Sequence, residues 1–245
     1  MLAWILAFGA IGSVGAVAGS ALLLVIPDGV RVRLVPGLVS YAAGTLLGTA
    51  FLVLMPAGLA RAPALPFLAT VLGGMVLSFA LEKLVLSRHC HEEGCAVHGA
   101  AAPSILVGDA VHNFADGVVI AAAFLTSFPL GVVTTLAVVA HEEPQEVGDF
   151  AILLDSGYGP AKAMLLNGLS ATATLPGAVV AWLWFGTVQG ALPYMLALSA
   201  ASFIYIAAAD LIPGLHRQTT ASGSRRQFAL MVTGVATIAA FHVPG

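Results

Sequence analysis

Charge is scarce in this chain. Of 245 residues only nine are Lys or Arg and twelve Asp or Glu, 9% in all, against about 25% in soluble domains. A soluble fold of this size cannot cover its surface with so few charges. A soluble enzyme, a nucleic-acid binder and a disordered chain are therefore excluded. Cysteine is scarcer still: Cys90 and Cys95 are the only two, too few for a disulfide framework. The opening residues, MLAWILAFGA, lack the basic segment of a signal peptide, so the apolar run to Ile26 reads as a first spanning helix. Two lysines stand against seven arginines in an Ala-, Gly- and Val-rich chain, a composition that hints at a GC-rich bacterial genome and hence the bacterial inner membrane.

Apolar residues dominate instead, at 59% with a mean hydropathy of +0.99. A bilayer core takes about 20 apolar residues in helical form. Breaking the chain at its charged and Pro/Gly-rich points leaves eight such stretches, near 2–26, 36–60, 64–86, 103–127, 130–154, 160–185, 190–214 and 226–243. The expected fold is an all-α membrane protein, one transmembrane domain over 1–245 with a single sizeable loop at 87–102. Basic residues orient it. Arg31, Arg33, Lys83, Arg88, Lys162, Arg217, Arg225 and Arg226 fall on one side, and only Arg61 on the other. With positive charge inside, both termini face outward and the 87–102 loop is cytoplasmic. AFLVLMP (50–56) and FIYIAAADLIP (203–213) each close on a proline near a helix end. They suggest that helices 1–3 and 6–8 are inverted copies around a central pair, a 3+2+3 arrangement.

Ionisable groups inside a spanning helix cost about 2.5–3.5 kcal/mol each on insertion scales, so they need a reason. The fourth stretch carries Asp109, His112, Asn113 and Asp116 on one helical face, and the fifth carries His141, Glu142, Gln145, Glu146 and Asp149. His112 and His141 both lie about 14–17 Å into a core of about 30 Å, so the two faces meet near the midplane. Imidazole, carboxylate and amide together in a dry place suit a divalent transition metal, whose charge offsets the buried anions. Pro144 removes a backbone hydrogen bond within this cluster and frees the carbonyl of Ala140. A plain structural hydrogen-bond network is the alternative.

HNFADG (112–117) and HEEPQEVGDF (141–150) resemble the signatures of the ZIP (Zrt/Irt-like) family of metal-ion transporters. AAGTLLGTAFLVLMP, LEKLVL, LLNGLSA and ADLIP are similar to that family's segments in spans 2, 3, 6 and 7. The resemblance implies eight helices moving divalent metal into the cytoplasm, with Zn2+ as transported substrate and iron, manganese or cadmium as alternatives. It implies metal ligands at His112, Asn113, Asp116, His141, Glu142 and Gln145. Glu146, Asn167, Asp109 and Asp210 are further candidates for the site or the ion pathway. Some relatives bind two metals side by side, with an acid or His where this chain has Gln145. The neutral amide therefore leads to an expectation of one tightly bound metal.

The 87–102 loop holds His89, Cys90, His91, Cys95 and His98, a ligand density that fits transient metal capture; a solvated linker is the alternative. The expected partners are divalent metal ions, the lipid bilayer and a second copy of the chain in a homodimer, with no nucleic acid. Two other functions fit the residues less well. An intramembrane metalloprotease needs HExxH, and His141-Glu142 is followed by Pro144-Gln145 with no second His. A membrane-anchored metal sensor needs only the loop, and would not place ligands on two facing helices at the midplane.

Overall fold

The computed structural model describes residues 1–25, 27–87, 101–185, 189–216 and 221–241. The loop ligands His89, Cys90, His91, Cys95 and His98 lie outside the described residues. Every apolar stretch is helical, and the described residues contain no strand. The chain runs α1 (Leu2–Val25), α2 (Asp28–Gly48), a π-helical stretch (Thr49–Leu54), α3 (Met55–Leu59), α4 (Ala64–Ser87), α5 (Ala101–Thr126), α6 (Phe128–Asp155), α7 (Pro160–Ala171) and α8 (Thr174–Phe185). A 3-10 turn (Gln189–Ala191), α9 (Leu192–Tyr205), a second π stretch (Ile206–Leu211), α10 (Ile212–His216) and α11 (Ala221–Phe241) complete it. Among the described residues, four helical runs are long and apolar enough to cross a membrane: Leu34–Leu59, Leu106–Thr126, Pro160–Trp184 and Leu192–His216.

Several boundaries differ from the sequence reading; α11, for one, begins at Ala221 rather than near 226. The second helix begins at Asp28 rather than near 36 and carries Pro36 within it. The sixth stretch is interrupted at Thr172 and Ala173. Pro176 has no N–H to give the Thr172 carbonyl. The chain tightens there, and Leu175 N–H donates to that carbonyl instead, at 3.1 Å. α6, by contrast, continues as a helix through Pro144.

The two π stretches match in register. Their bounds, 49 and 54 against 206 and 211, are each 157 positions apart, as are the helices that follow at 55 and 212 and at 64 and 221. Pro56 and Pro213 stand at the same place after each.

Helix ends can be matched through contacts. Arg61 Nη2 donates to the Thr126 carbonyl at 3.3 Å. Trp4 and Phe8 of α1 pack on Phe124 and Phe128 at the α5–α6 turn. The start of α1, the α3–α4 turn and the α5–α6 turn thus share one end of the molecule. Among the described residues the broadest pairings are α2 with α11, α5 with α8, α1 with α6 and α4 with α9. The first two are glycine-mediated. A Cβ at Gly117 would fall on the Thr174 carbonyl oxygen, and one at Gly177 on that of Phe114. Gly44 and Gly234 meet the carbonyls of Met231 and Tyr41 in the same way. Apolar solvent adds no driving force between helices, so such close approach is what holds them together.

The main apolar core is lopsided. It gathers Leu46, Ala50, Val53 and Leu54, residues 119–124 of α5, Leu130 to Val138 of α6, and Leu196, Ala200 and Phe203 of α9. All of these α5 and α6 residues lie between the central polar cluster and the α5–α6 turn. The buried acids and amides Asp109, Glu146 and Asn167 lie on the opposite side of that cluster.

Candidate metal centre

α5 and α6 are antiparallel neighbours joined at Ser127, so their polar faces run past each other. His112 and Asp116 project from consecutive turns of α5, and His141 and Glu142 from adjoining positions of α6. Four atoms converge: His112 Nε2, His141 Nε2, Asp116 Oδ2 and Glu142 Oε1. The histidine nitrogens are 3.2 Å apart. His112 Nε2 lies 3.6 Å from Asp116 Oδ2 and 3.2 Å from Glu142 Oε1. His141 Nε2 lies 3.2 Å from Asp116 Oδ2 and 3.3 Å from Glu142 Oε1. A tetrahedral ion with ligands at about 2.0–2.1 Å has ligand-to-ligand edges of about 3.3 Å. Five edges of the quartet fall at or near that length.

The surroundings favour such a centre. His141 Nδ1 lies 3.1 Å from the Ala137 carbonyl one turn back. Donating there leaves Nε2 with its lone pair turned to the cluster, the usual arrangement behind a metal-bound imidazole. The edge of Phe203 holds the same ring from the other side, with centroids 5.7 Å apart. Asp116 Oδ2 and both oxygens of Glu142 are buried with no hydrogen-bond donor. Buried carboxylate oxygens are costly in that state. The His112 side chain is one-fifth exposed and the other three are closed off.

The structure divides the other sequence candidates. Asn113 and Gln145 are not among the converging four. Asn113 Nδ2 donates to the main chain and to Oδ1 of Asp109, at 3.2 and 3.0 Å. Its own oxygen accepts from the Thr174 hydroxyl at 3.1 Å. Gln145 Nε2 also donates to Asp109 Oδ1, at 3.1 Å. Asn167 on α7 donates to the carboxylate and the carbonyl of Glu146. Asp109, Glu142 and Glu146 form a second group with ligand atoms within 4.8 Å of one another. Asp210 falls in the second π stretch. Thr174 escapes a sequence reading, because it reaches Asn113 only where the interruption before α8 turns it toward α5. Pro176 is the one local signal of that interruption.

Comparison with known proteins agrees with this chemistry. The family profile described as ZIP Zinc transporter matches residues 87–242. Zinc transporter ZIP4 of Homo sapiens is 44% identical over 111 residues, covering 45% of this chain and 17% of that protein. Zinc transporter zipt-7.2 of Caenorhabditis elegans is 37% identical over 136 residues, 53% of this chain and 29% of the relative. Zinc transporter foi of Drosophila melanogaster is 38% identical over 136 residues, 56% and 19% respectively. The chain thus spans less than a third of the length of these curated relatives.

Proposed function

Since the chain belongs to the ZIP zinc transporter family, we propose that it moves divalent transition-metal ions, zinc foremost, through a membrane into the cytoplasm. The cargo ion is held midway by His112, Asp116, His141 and Glu142. The observation that carries this reading is the near-tetrahedral spacing of their four ligand atoms on two facing helices. Two neutral imidazoles and two carboxylates would leave the bound Zn2+ with no net charge, which suits a dry interior.

The lopsided core suggests how access is arranged. On one side of the quartet the packing is apolar and closed. On the other, acids and amides continue from Asp109 and Glu146 to Asp149. We read the closed side as the outside and the polar side as the cytoplasmic one, the basic residues being concentrated there. Both termini would then face outward. All eight helical runs would cross the bilayer, with helices 1–3 and 6–8 as inverted repeats; the matched π stretches support the duplication. The pairings of α5 with α8 and α1 with α6, against α2 with α11 and α4 with α9, support two bundles that rock or slide to expose the site alternately. An ion of charge +2 moving inward gains about 4.6 kcal/mol per 100 mV of inside-negative potential, enough to favour uptake without a coupling ion. A bacterial inner membrane and a homodimer complete the proposal.

The test is Zn2+ uptake into proteoliposomes. Wild type should load them and His141→Ala should not, while both elute alike on size exclusion. Removing a direct ligand should weaken Zn2+ binding by more than the roughly 10–100-fold typical of losing a group behind one. Normal uptake by the folded variant would refute the site.

A further inference from the structure

The outer surface between α5 and α7 is hollow. It carries a groove of about 460 Å3, within the range of pockets that hold small ligands. Small side chains are the cause. Ala110, Ser170 and Ala173 form the floor, and Val107, Val111 and Leu169 stand up along the sides, 66%, 61% and 64% exposed. Ser170 does not make the floor polar. It is buried, and its hydroxyl donates to the Asn167 carbonyl at 2.8 Å. The groove therefore presents an almost wholly apolar lining.

One end of this apolar groove meets a charge. On α7 the positions 162, 166, 169, 170 and 173 share one helical face, so Lys162 continues the row that lines the groove. Leu106, which also lines it, packs on the Phe150–Leu153–Ala163 cluster, and so does Tyr158. Lys162 Nζ sits 4.8 Å from the centroid of the Tyr158 ring. The ammonium group thus lies beside the mouth of the groove. A lysine over an aromatic ring in the first turn of a spanning run is the usual furniture of the membrane interface. From Lys162 to Ala173 the helix rises about 16 Å, against about 15 Å for half of a hydrocarbon core. Cation and groove together span one leaflet.

We propose that the α5–α7 groove binds an anionic phospholipid, with an acyl chain on the floor of Ala110, Ser170 and Ala173 and the phosphate at Lys162. A second copy of the chain could lay a helix in the groove, but it would gain nothing from Lys162, whereas a lipid phosphate uses both features. The proposed orientation makes this the cytoplasmic leaflet; the site itself does not depend on the direction of transport. The bound chain would seal a seam that matters to the metal centre. α5 carries His112 and Asp116, and α7 braces α6 through the Asn167–Glu146 contact. Ala110 and Asp109 are neighbours on α5, so the groove lies close behind a buried acid.

The test uses the purified full chain in detergent and phosphatidylglycerol with a photoreactive diazirine in its acyl chain. Cross-links should fall within 106–114 and 166–173 and saturate at one lipid per chain. Unlabelled phosphatidylglycerol should compete about fivefold better than phosphatidylcholine, the attraction one lysine adds. Lys162→Gln should erase that preference and keep the cross-link position. Lys83→Gln is the control and should change nothing, although Lys83 also sits over a ring, 5.7 Å from that of Phe79 on α4. Ala110→Leu fills the floor and should abolish the cross-link while melting no lower than wild type, which also shows it folded. Cross-links that do not saturate and spread evenly to exposed faces such as Leu72 and Val76 of α4 would overturn the site. Equal competition by the two lipids in wild type would do the same. Disulfide-linked dimers of Val111→Cys in native membranes would give the groove to a second copy instead. Zn2+ dialysis of the same samples reports the quartet separately, so Zn2+ binding without lipid binding would sink this proposal and leave the transport reading standing.

Discussion

Gln145 turns its amide nitrogen to Asp109, 3.1 Å away on the facing helix, although it sits one turn from His141 on the same helical face. The amide acts as a strut between α5 and α6. Gln145→Glu would put a fourth carboxylate against the acidic trio and remove a donor to a buried charge, a change worth about 1.5–3 kcal/mol. The metal-free variant should melt lower than wild type, and Zn2+ should raise its melting temperature by more than it raises that of wild type. Identical melting curves with and without metal would show that the contact does not matter.

Protons compete with the metal for the quartet. An imidazole must be neutral to ligate, and an ordinary histidine gains its proton at about pH 6.5. Lowering pH therefore weakens binding, and Zn2+ affinity should drop steeply between pH 7 and 5.5. Binding measured by dialysis is the proper readout, since faster release at low pH offsets weaker capture in a flux assay. A flat affinity profile would rule out imidazole ligands.

The α5–α8 contact should tolerate no added side chain. At Gly117 a methyl group meets the Thr174 carbonyl oxygen and the Ala178 nitrogen, backbone atoms that cannot rotate aside. Gly117→Ala should cost about 1–3 kcal/mol and disturb the Thr174–Asn113 hydrogen bond behind the acidic trio. Gly73 on α4 has open space at the same distance, so Gly73→Ala is the control and should melt like wild type. Equal melting of the two variants would argue against close packing at Gly117.

The proposed orientation makes a topological prediction. Cys90 and Cys95 should resist a membrane-impermeant thiol reagent in intact cells and react once the membrane is opened. Labelling of intact cells would reverse the proposed orientation.

Spacing along a helix makes much of the candidate centre legible. His112 and Asp116 are four apart, and His141 lies at matched depth on the next helix. Glu142 is harder to read, because its position one step round α6 suggests a second tier; its reach brings Oε1 into the quartet all the same. Gln145 looks like a ligand on its spacing from His141, and Asn113 is a ligand only on the family resemblance. What redirects them is Asp109, whose carboxylate competes for their N–H groups, and such competition depends on rotamers that no periodicity encodes. The 61-residue separation of Asn113 and Thr174 is likewise closed only by the fold. Among the helices, apolar runs identify the elements well. They are silent about the π geometry, although TAFLVL and IAAADL share Ala at the second position, Leu at the sixth and the proline that follows each.

Those π stretches also carry a history. A π turn is an α-helix holding one residue more than it needs, so each records an insertion. Two unrelated insertions would have no reason to fall 157 positions apart, each with a proline at the same distance beyond it. On the duplication proposed above, one extra residue inherited by both halves accounts for both at once. The extra residue turns everything after it by about 100°, so losing it from one copy would rotate α3 or α10 out of place. The extra residue is thus one that neither stretch can lose without misplacing the helix that follows it.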